Sequence, residues 1–214
     1  MTLEEQLKED DGHRFQKELG DFIAFHNLAK VVETGTGVTS IYILKSFDDN
    51  NIDGKLFSID KGQWYPHEII HPKFQQIVDK SIPSLLNLYL EIGEFDFFLH
   101  DGEHEVKVQE YEYEFAYQCL KPGGYIASDD ICWGNNTCWP DFLKRHNLKD
   151  EIMGAIRITQ KPLTEPVLGV EVSEFGSTFN KDAVIEFHDE WLAHCENLEK
   201  EWLAAGNTKH PIFQ

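Results

Sequence analysis

Between Glu94 and Ile131 the chain alternates short apolar runs with acidic turns. Phe95, Phe97, Phe98 and Leu99 form a compact run suited to a strand buried on both faces. The run stops at His100-Asp101-Gly102-Glu103-His104, where Gly102 permits a sharp exit. Val108, Tyr111 or Glu112, Phe115 and Cys119 then recur at helical spacing. Lys121-Pro122-Gly123-Gly124 ends that helix, because Pro cannot continue it and Gly tolerates positive φ. Tyr125 to Ser128 predict a second strand, which closes on Asp129-Asp130. Two neighbouring strands thus end in carboxylates, and in an open parallel sheet ligands bind outside the carboxyl ends of strands.

The same reading extends along the rest of the chain. Residues 1 to 13 are polar and predict a loosely held start. From Arg14 to Leu28, Phe15, Leu19, Phe22, Ile23 and Phe25 fall on one helical face, read as core packing. Val31-Val32-Glu33 predicts a strand, Thr34-Gly35-Thr36-Gly37-Val38-Thr39-Ser40 a glycine-rich turn, and Ile41, Ile43 and Leu44 the helix that follows. Lys55 to Ile59 predict a strand ending on Asp60. The irregular stretch from 61 to 72 holds Trp64, Tyr65, His67 and His71. Phe74 to Val78 predict a strand with Asp79-Lys80-Ser81 at its end, and Ile82 to Ile92 a helix with Pro83 in its first turn.

Beyond Ile131, a loop from Cys132 to Pro140 carries Trp133 and Trp139 beside the acidic pair, a natural substrate wall. Asp141 to His146 predict a short helix. Glu151 to Thr159 and Val167 to Phe175 have strand character, joined antiparallel through residues 161 to 166. Asp182 to Ala205 predict a helix with Val184, Phe187, Trp191, Cys195, Leu198 and Trp202 on one face, serving the core or a homodimer interface. The expected organisation is an N-terminal helical extension over 1–30, one α/β domain over 31–180 and a C-terminal helix over 181–214.

Composition narrows the class. At 214 residues, with 41% hydrophobic and 13% aromatic content, the chain can bury a full core. No apolar run is long enough to span a membrane, and the N-terminus lacks a signal-peptide pattern. Four cysteines without a CxxC pair predict free thiols in a reducing, cytoplasmic setting. A net charge of -19 argues against nucleic acid and anionic membranes as partners.

The glycines of the first turn let the backbone bend tightly and a nucleoside-bearing ligand approach closely. Alone a GxG turn is weak; Asp60 strengthens it, because a carboxylate there accepts hydrogen bonds from both hydroxyls of a ribose. The ordinary alternative is a plain βαβ turn with a solvated Asp. His100 and His104 stand four apart, but Gly102 keeps them off a common helical face, which disfavours zinc.

This order of elements, β-GxG-α, β-Asp, β, β-Asp-Gly-Glu-His, α, Pro-Gly-Gly, β-Asp-Asp, resembles the class I S-adenosylmethionine-dependent methyltransferases. Within them it is most similar to the metal-dependent macrocin- and novobiocin-type sugar O-methyltransferases. The resemblance covers roughly Val31 to Ile131. It implies a Rossmann-like, mostly parallel seven-stranded sheet with helices on both faces and an antiparallel strand near the C-terminal end. It implies S-adenosylmethionine held by Glu33, Gly35, Gly37, Asp60 and Ser81, with Ser40 standing where the family's third small residue belongs. It implies Mg²⁺ or another divalent cation on Asp101, Asp129 and Asp130, and Glu103 in place of the family's catalytic Asp, one methylene longer. The implied partner is a small hydroxylated acceptor such as a sugar or natural product.

That chemistry suits the residues. An alkyl hydroxyl is a poor nucleophile at neutral pH, and a hard cation with a nearby carboxylate remedies this. A nicotinamide-dependent oxidoreductase would explain the GxG turn and Asp60 but not Asp129-Asp130. The altered GTGVTS turn and Glu103 also suit a cofactor-binding relative without turnover. Cephalosporin-hydroxylase-like sequences share the same look, so fold analogy leaves the reaction open.

Overall fold

Short apolar runs become the strands of one sheet. A computed structural model describes residues 2–9, 14–62, 68–129, 131, 138–164, 170–173 and 176–179, together with 185–186, 188–190, 193, 197, 200 and 204. The elements in chain order are α1 (Leu3–Glu9), α2 (Arg14–Phe25), β1 (Lys30–Thr34), α3 (Val38–Asp49), β2 (Lys55–Asp60), β3 (Phe74–Val78) and α4 (Ser81–Ile92). They continue as β4 (Phe95–His100), α5 (Val106–Cys119), β5 (Leu120–Ser128), α6 (Cys138–Arg145), β6 (Glu151–Met153), β7 (Ile156–Gln160), β8 (Val170–Ser173) and β9 (Gly176–Phe179).

Seven strands join in the order β3-β2-β1-β4-β5-β7-β6. The first five run parallel, while β7 is antiparallel to both β5 and β6. This is the Rossmann-like class I methyltransferase architecture, with its reversed strand near the C-terminal end. The chain leaves β1 towards β2 on one side and reaches β4 on the other. The order therefore reverses at β1, which opens a crevice at the carboxyl ends of β1 and β4.

Alternation along each strand divides the core into two layers. Val32, Phe57 and Phe98 face α4, α5 and α6, where Leu85, Tyr89, Tyr113, Phe115, Trp139 and Phe142 are buried. Val31, Leu56, Phe97 and Leu99 face α2 and α3 and meet Leu19, Ile23, Ile41, Leu44 and Phe47. Both faces of the central strands are thus dry, which is why they read as continuous apolar runs.

Several expectations change. The polar start contains α1, anchored by a reciprocal cap: the Thr2 N–H donates to Glu5 Oε2 at 2.8 Å and the Glu5 N–H to Thr2 Oγ1 at 3.2 Å. That T-x-x-E capping box is a signal the composition of the segment obscures. Phe25 is 85% exposed rather than on the core face, because α2 ends there and Asn27 takes a positive φ of 50°. The segment from 151 to 160 is two strands, not one. Gly154, at φ 64°, turns β6 back onto β7, so the sheet's antiparallel hairpin forms there. The later stretch instead yields β8 and β9, which pair with each other outside the main sheet. Trp64, Tyr65 and His67, the loop from 132 to 137, and Val184, Phe187, Trp191, Cys195, Leu198 and Trp202 lie outside the described residues or side chains. His188 is described. It is buried, and its Nδ1 lies 2.9 Å from the Tyr111 hydroxyl of α5. Cys119 and Cys138 are buried free thiols. No helix among the described residues is long and apolar enough to cross a membrane.

α5 ends at Cys119, and Lys121-Pro122-Gly123-Gly124, expected as the loop that breaks it, instead lies within β5, whose register against β4 shifts between Phe95 and Phe97. Lys161 completes this corner. Its ammonium is buried and donates to the carbonyls of Tyr117 at 3.0 Å and Leu120 at 3.1 Å, over the Tyr117 ring. A cation there satisfies the orphan carbonyls at the α5 C-terminus and complements its dipole. Lys161→Met, which keeps the aliphatic stem, is expected to lower the unfolding free energy by about 2–3 kcal/mol in urea melts with an unchanged m-value. A loss under about 0.5 kcal/mol would mean that water caps those carbonyls equally well.

Candidate functional site

The crevice at the strand ends holds a cavity of 470 Å³. That volume falls within the range of about 300–1,000 Å³ common to small-molecule and cofactor sites. Its lining steps across the sheet: Asp79 and Ser81 beyond β3, Asp60 and Lys61 at the end of β2, Thr34 to Gly37 at the end of β1, and Asp101 to Glu103 beyond β4.

The glycine turn works in two different ways. Gly35 adopts φ 89°, and its N–H donates to Ile59 O at 2.8 Å. A β-carbon there would overlap the backbone carbonyl of Asp101, whose carbon would stand 2.7 Å away. Gly35 therefore lets the tip of β1 pass against the tip of β4. Gly37 has an ordinary extended conformation, with φ -166°, and a β-carbon there would meet nothing within 4 Å among the described residues. Its missing side chain leaves space in the cavity.

Asp60 is held from behind. Its Oδ2 accepts the Thr36 N–H at 2.8 Å and its Oδ1 the Gly62 N–H at 3.1 Å. These bonds fix the carboxylate at the cavity wall while leaving lone pairs for a ligand. Glu33 is fully buried beneath the turn, and the Ser40 hydroxyl donates to it. Burial pushes its carboxyl up to about 8, against the lowering pull of the Ser40 and Ser58 hydroxyls. Glu33 does not line the cavity; it supports the turn that does. Ser81 lies at the cavity edge as the first residue of α4.

On the other side, the Asp101 N–H donates to Thr34 O and the Asp129 N–H to His100 O, both at 2.9 Å. The ladder thus sets the β4 and β5 tips, and with them Asp101 and Asp129, side by side. Asp101 lines the cavity and its Oδ2 accepts the Thr39 hydroxyl at 3.1 Å. Asp129 is buried. Asp130 lies outside the described residues, and among the described residues no group of three His, Cys, Asp or Glu side chains is arranged to hold a metal ion. Glu103 forms an ion pair with Lys61 from the tip of β2, so the two half-exposed side chains bridge the cavity mouth.

One feature of the site was not read from the sequence. Thr34, His100 and Glu112 form a buried polar cluster: Glu112 Oε2 accepts the Thr34 hydroxyl at 2.7 Å and lies 2.6 Å from His100 Nδ1. Gln109 Nε2 bridges His100 Nε2 at 3.0 Å and His104 Nδ1 at 3.3 Å. Glu112 also lines the cavity. The available signal was a carboxylate at a core-facing position of α5, where an apolar residue would satisfy the periodicity.

A family model described as a methyltransferase domain matches residues 32–131. The matched stretch runs from β1 to just past the end of β5 and includes every tip that lines the cavity. Solved methyltransferases share the fold. MycE, from the mycinamycin biosynthetic pathway, in complex with Mg, SAH and mycinamycin VI, superposes with a TM-score of 0.57 at 15% identity, over 76% of this chain and 54% of its own. TomG from Streptomyces achromogenes, an O-methyltransferase involved in tomaymycin synthesis, in complex with SAM, gives 0.57 at 15% identity over 69% and 79% of the two chains. An O-methyltransferase from Bacillus cereus in complex with SAH gives 0.53 at 15% identity over 74% and 90%. The chain spans about half the length of MycE. Among curated proteins none matches the sequence.

Proposed function

We propose that the chain transfers a methyl group from S-adenosylmethionine to a hydroxyl oxygen of a small acceptor, a sugar or natural product, with a divalent cation assisting. The observation that carries this reading is the pairing, in one cavity, of a glycine cradle facing a backbone-held carboxylate, Asp60, with strand-end carboxylates beside it. The solved relatives support it: MycE is described with Mg, SAH and a mycinamycin, and TomG with SAM.

In this reading Asp60 takes the ribose hydroxyls, Gly35 and Gly37 admit the cofactor close to the backbone, and Ser81 borders the adenine end. The methionine end then extends over β1 towards β4. Asp101 and Asp129, with Asp130, would hold the cation, which when bound lowers the pKa of the acceptor hydroxyl and orients it. Glu103 would remove the hydroxyl proton, and its pairing with Lys61 at the cavity mouth keeps it near where an acceptor enters. An exposed pair of this kind is worth only about 0–1 kcal/mol, so an acceptor can displace Lys61 at little cost. Methyl transfer needs alignment more than covalent help, and rigid strand tips supply it.

Calorimetric titration of S-adenosylmethionine into the protein, with Mg²⁺ and with EDTA, tests the reading. Binding is expected in both, with a separate heat when Mg²⁺ follows the cofactor and no such heat in Asp129→Asn. Absence of cofactor binding in both conditions would sink the proposal. A Mg²⁺ heat unchanged in Asp129→Asn would remove that carboxylate from the metal site.

A further inference from the structure

We infer that Glu112 is a ligand-binding residue, whose unpartnered oxygen receives the α-ammonium group of S-adenosylmethionine. The inference rests on the cofactor reading above and assigns the contact at its amino-acid end.

Glu112 projects from the core-facing side of α5, is 1% exposed and lines the cavity. Its two oxygens are treated unequally. Oε2 accepts the Thr34 hydroxyl at 2.7 Å and meets His100 Nδ1 at 2.6 Å, whereas Oε1 is buried with no hydrogen-bond partner among the described residues. The Gln109 amide nitrogen lies 3.0 Å from the other ring nitrogen of His100 and 3.3 Å from Nδ1 of His104. His100 thus meets Glu112 through Nδ1 and Gln109 through Nε2, so both of its ring nitrogens are engaged within the cluster. The cluster engages Oε2 alone, and Oε1 has nothing to bind among the described residues. A buried acceptor without a donor costs about 1–3 kcal/mol, and more when charged. A cation supplied by a ligand removes that cost.

The strand order says which part of the ligand arrives there. Asp79 and Ser81 follow β3 and Asp60 ends β2 at one end of the cavity, and Thr34 ends β1 nearer β4. A ligand whose ribose is held by Asp60 must direct its amino-acid end over Thr34, which is itself bonded to Glu112. Of the groups at that end, only the ammonium brings both donors and positive charge.

The test uses two nucleosides that differ at that end. S-adenosylhomocysteine keeps the ammonium and lacks the sulfonium charge; 5′-methylthioadenosine lacks the amino-acid part altogether. Both are titrated by calorimetry into wild type and Glu112→Gln. The expected result is an affinity loss of about 10- to 100-fold for S-adenosylhomocysteine, with 5′-methylthioadenosine affinity held within about twofold. Equal loss for both ligands would reduce Glu112 to a structural role and overturn the inference. So would unchanged affinity for both, which would point Glu112 towards the acceptor instead. If wild type binds neither nucleoside, the cofactor reading itself falls; if it binds both and only the variant comparison fails, this inference alone falls. Should Glu112→Gln not fold, Glu112→Asp keeps the charge but withdraws it by one methylene, and the same selective loss is expected.

Discussion

Alanine at Gly35 is expected to cost roughly 2–6 kcal/mol of folding stability, while alanine at Gly37, two residues on, is expected to leave stability unchanged and abolish cofactor binding. The two glycines look equivalent in a GxG motif. Gly35 holds φ 89°, a conformation that costs an L-residue about 1–3 kcal/mol, and its β-carbon would overlap the Asp101 backbone. Backbone cannot rotate away as a side chain can, so the β1 and β4 tips must part, and the overlap adds a further penalty of about 1–3 kcal/mol. Gly37 carries neither burden: its backbone is extended and its missing β-carbon faces open space within the cavity lining. Urea denaturation and S-adenosylmethionine titration of both variants separate the two roles. Equal stability of Gly35→Ala and wild type would contradict the close approach of the strand tips. Full cofactor affinity in Gly37→Ala would mean that the ligand does not lie against this turn.

Wild type is also expected to lose stability relative to Glu33→Gln as pH rises from 5 to 8. Burial pushes the Glu33 carboxyl from 4.5 to about 8 in the folded chain. Below pH 4.5 the group is protonated in both states and contributes no difference. Between the two values the unfolded chain releases the proton while the folded chain keeps it, so ionisation favours unfolding by about 1.4 kcal/mol per pH unit. Above the folded value the penalty is complete, on the order of 5 kcal/mol, and constant. Glutamine keeps an acceptor for the Ser40 hydroxyl and has no proton to lose, so the difference between the two proteins isolates the group from the other carboxylates. Urea melts at pH 5, 6.5 and 8 measure it. A difference that stays flat over this range would show that Glu33 is already ionised in the folded protein.

Much of the cavity was legible along the chain because its parts are local. A strand, a glycine turn and a helix follow one another within a few residues, so Val31 to Leu44 announce their own geometry. Phe95 to His100 likewise announces itself, since a strand buried on both faces is apolar almost throughout. The hairpin at 151–160 was harder. A single glycine at 154 divides a stretch with continuous strand character, and composition alone does not distinguish a turn from a weak point in one strand. The capped α1 was hidden by polarity, since a two-turn helix on the surface needs little apolar content once Thr2 and Glu5 satisfy its end.

By itself, then, the sequence determined the class of fold, the run of strand-end carboxylates and the glycine turn, because each depends on neighbours a few residues apart. Only the tertiary structure decided that Gly35 is spaced against Asp101 and Gly37 against the cavity, and that Lys61 reaches Glu103. It alone decided that Lys161 caps a helix more than 40 residues earlier and that Glu112 joins Thr34 and His100 at the cavity wall. The physical reason is the same in each case. Hydrogen bonding and steric exclusion act over a few ångströms, and in a parallel sheet the residues a few ångströms apart are brought together by crossovers, so the pattern along the chain carries no trace of which ones meet.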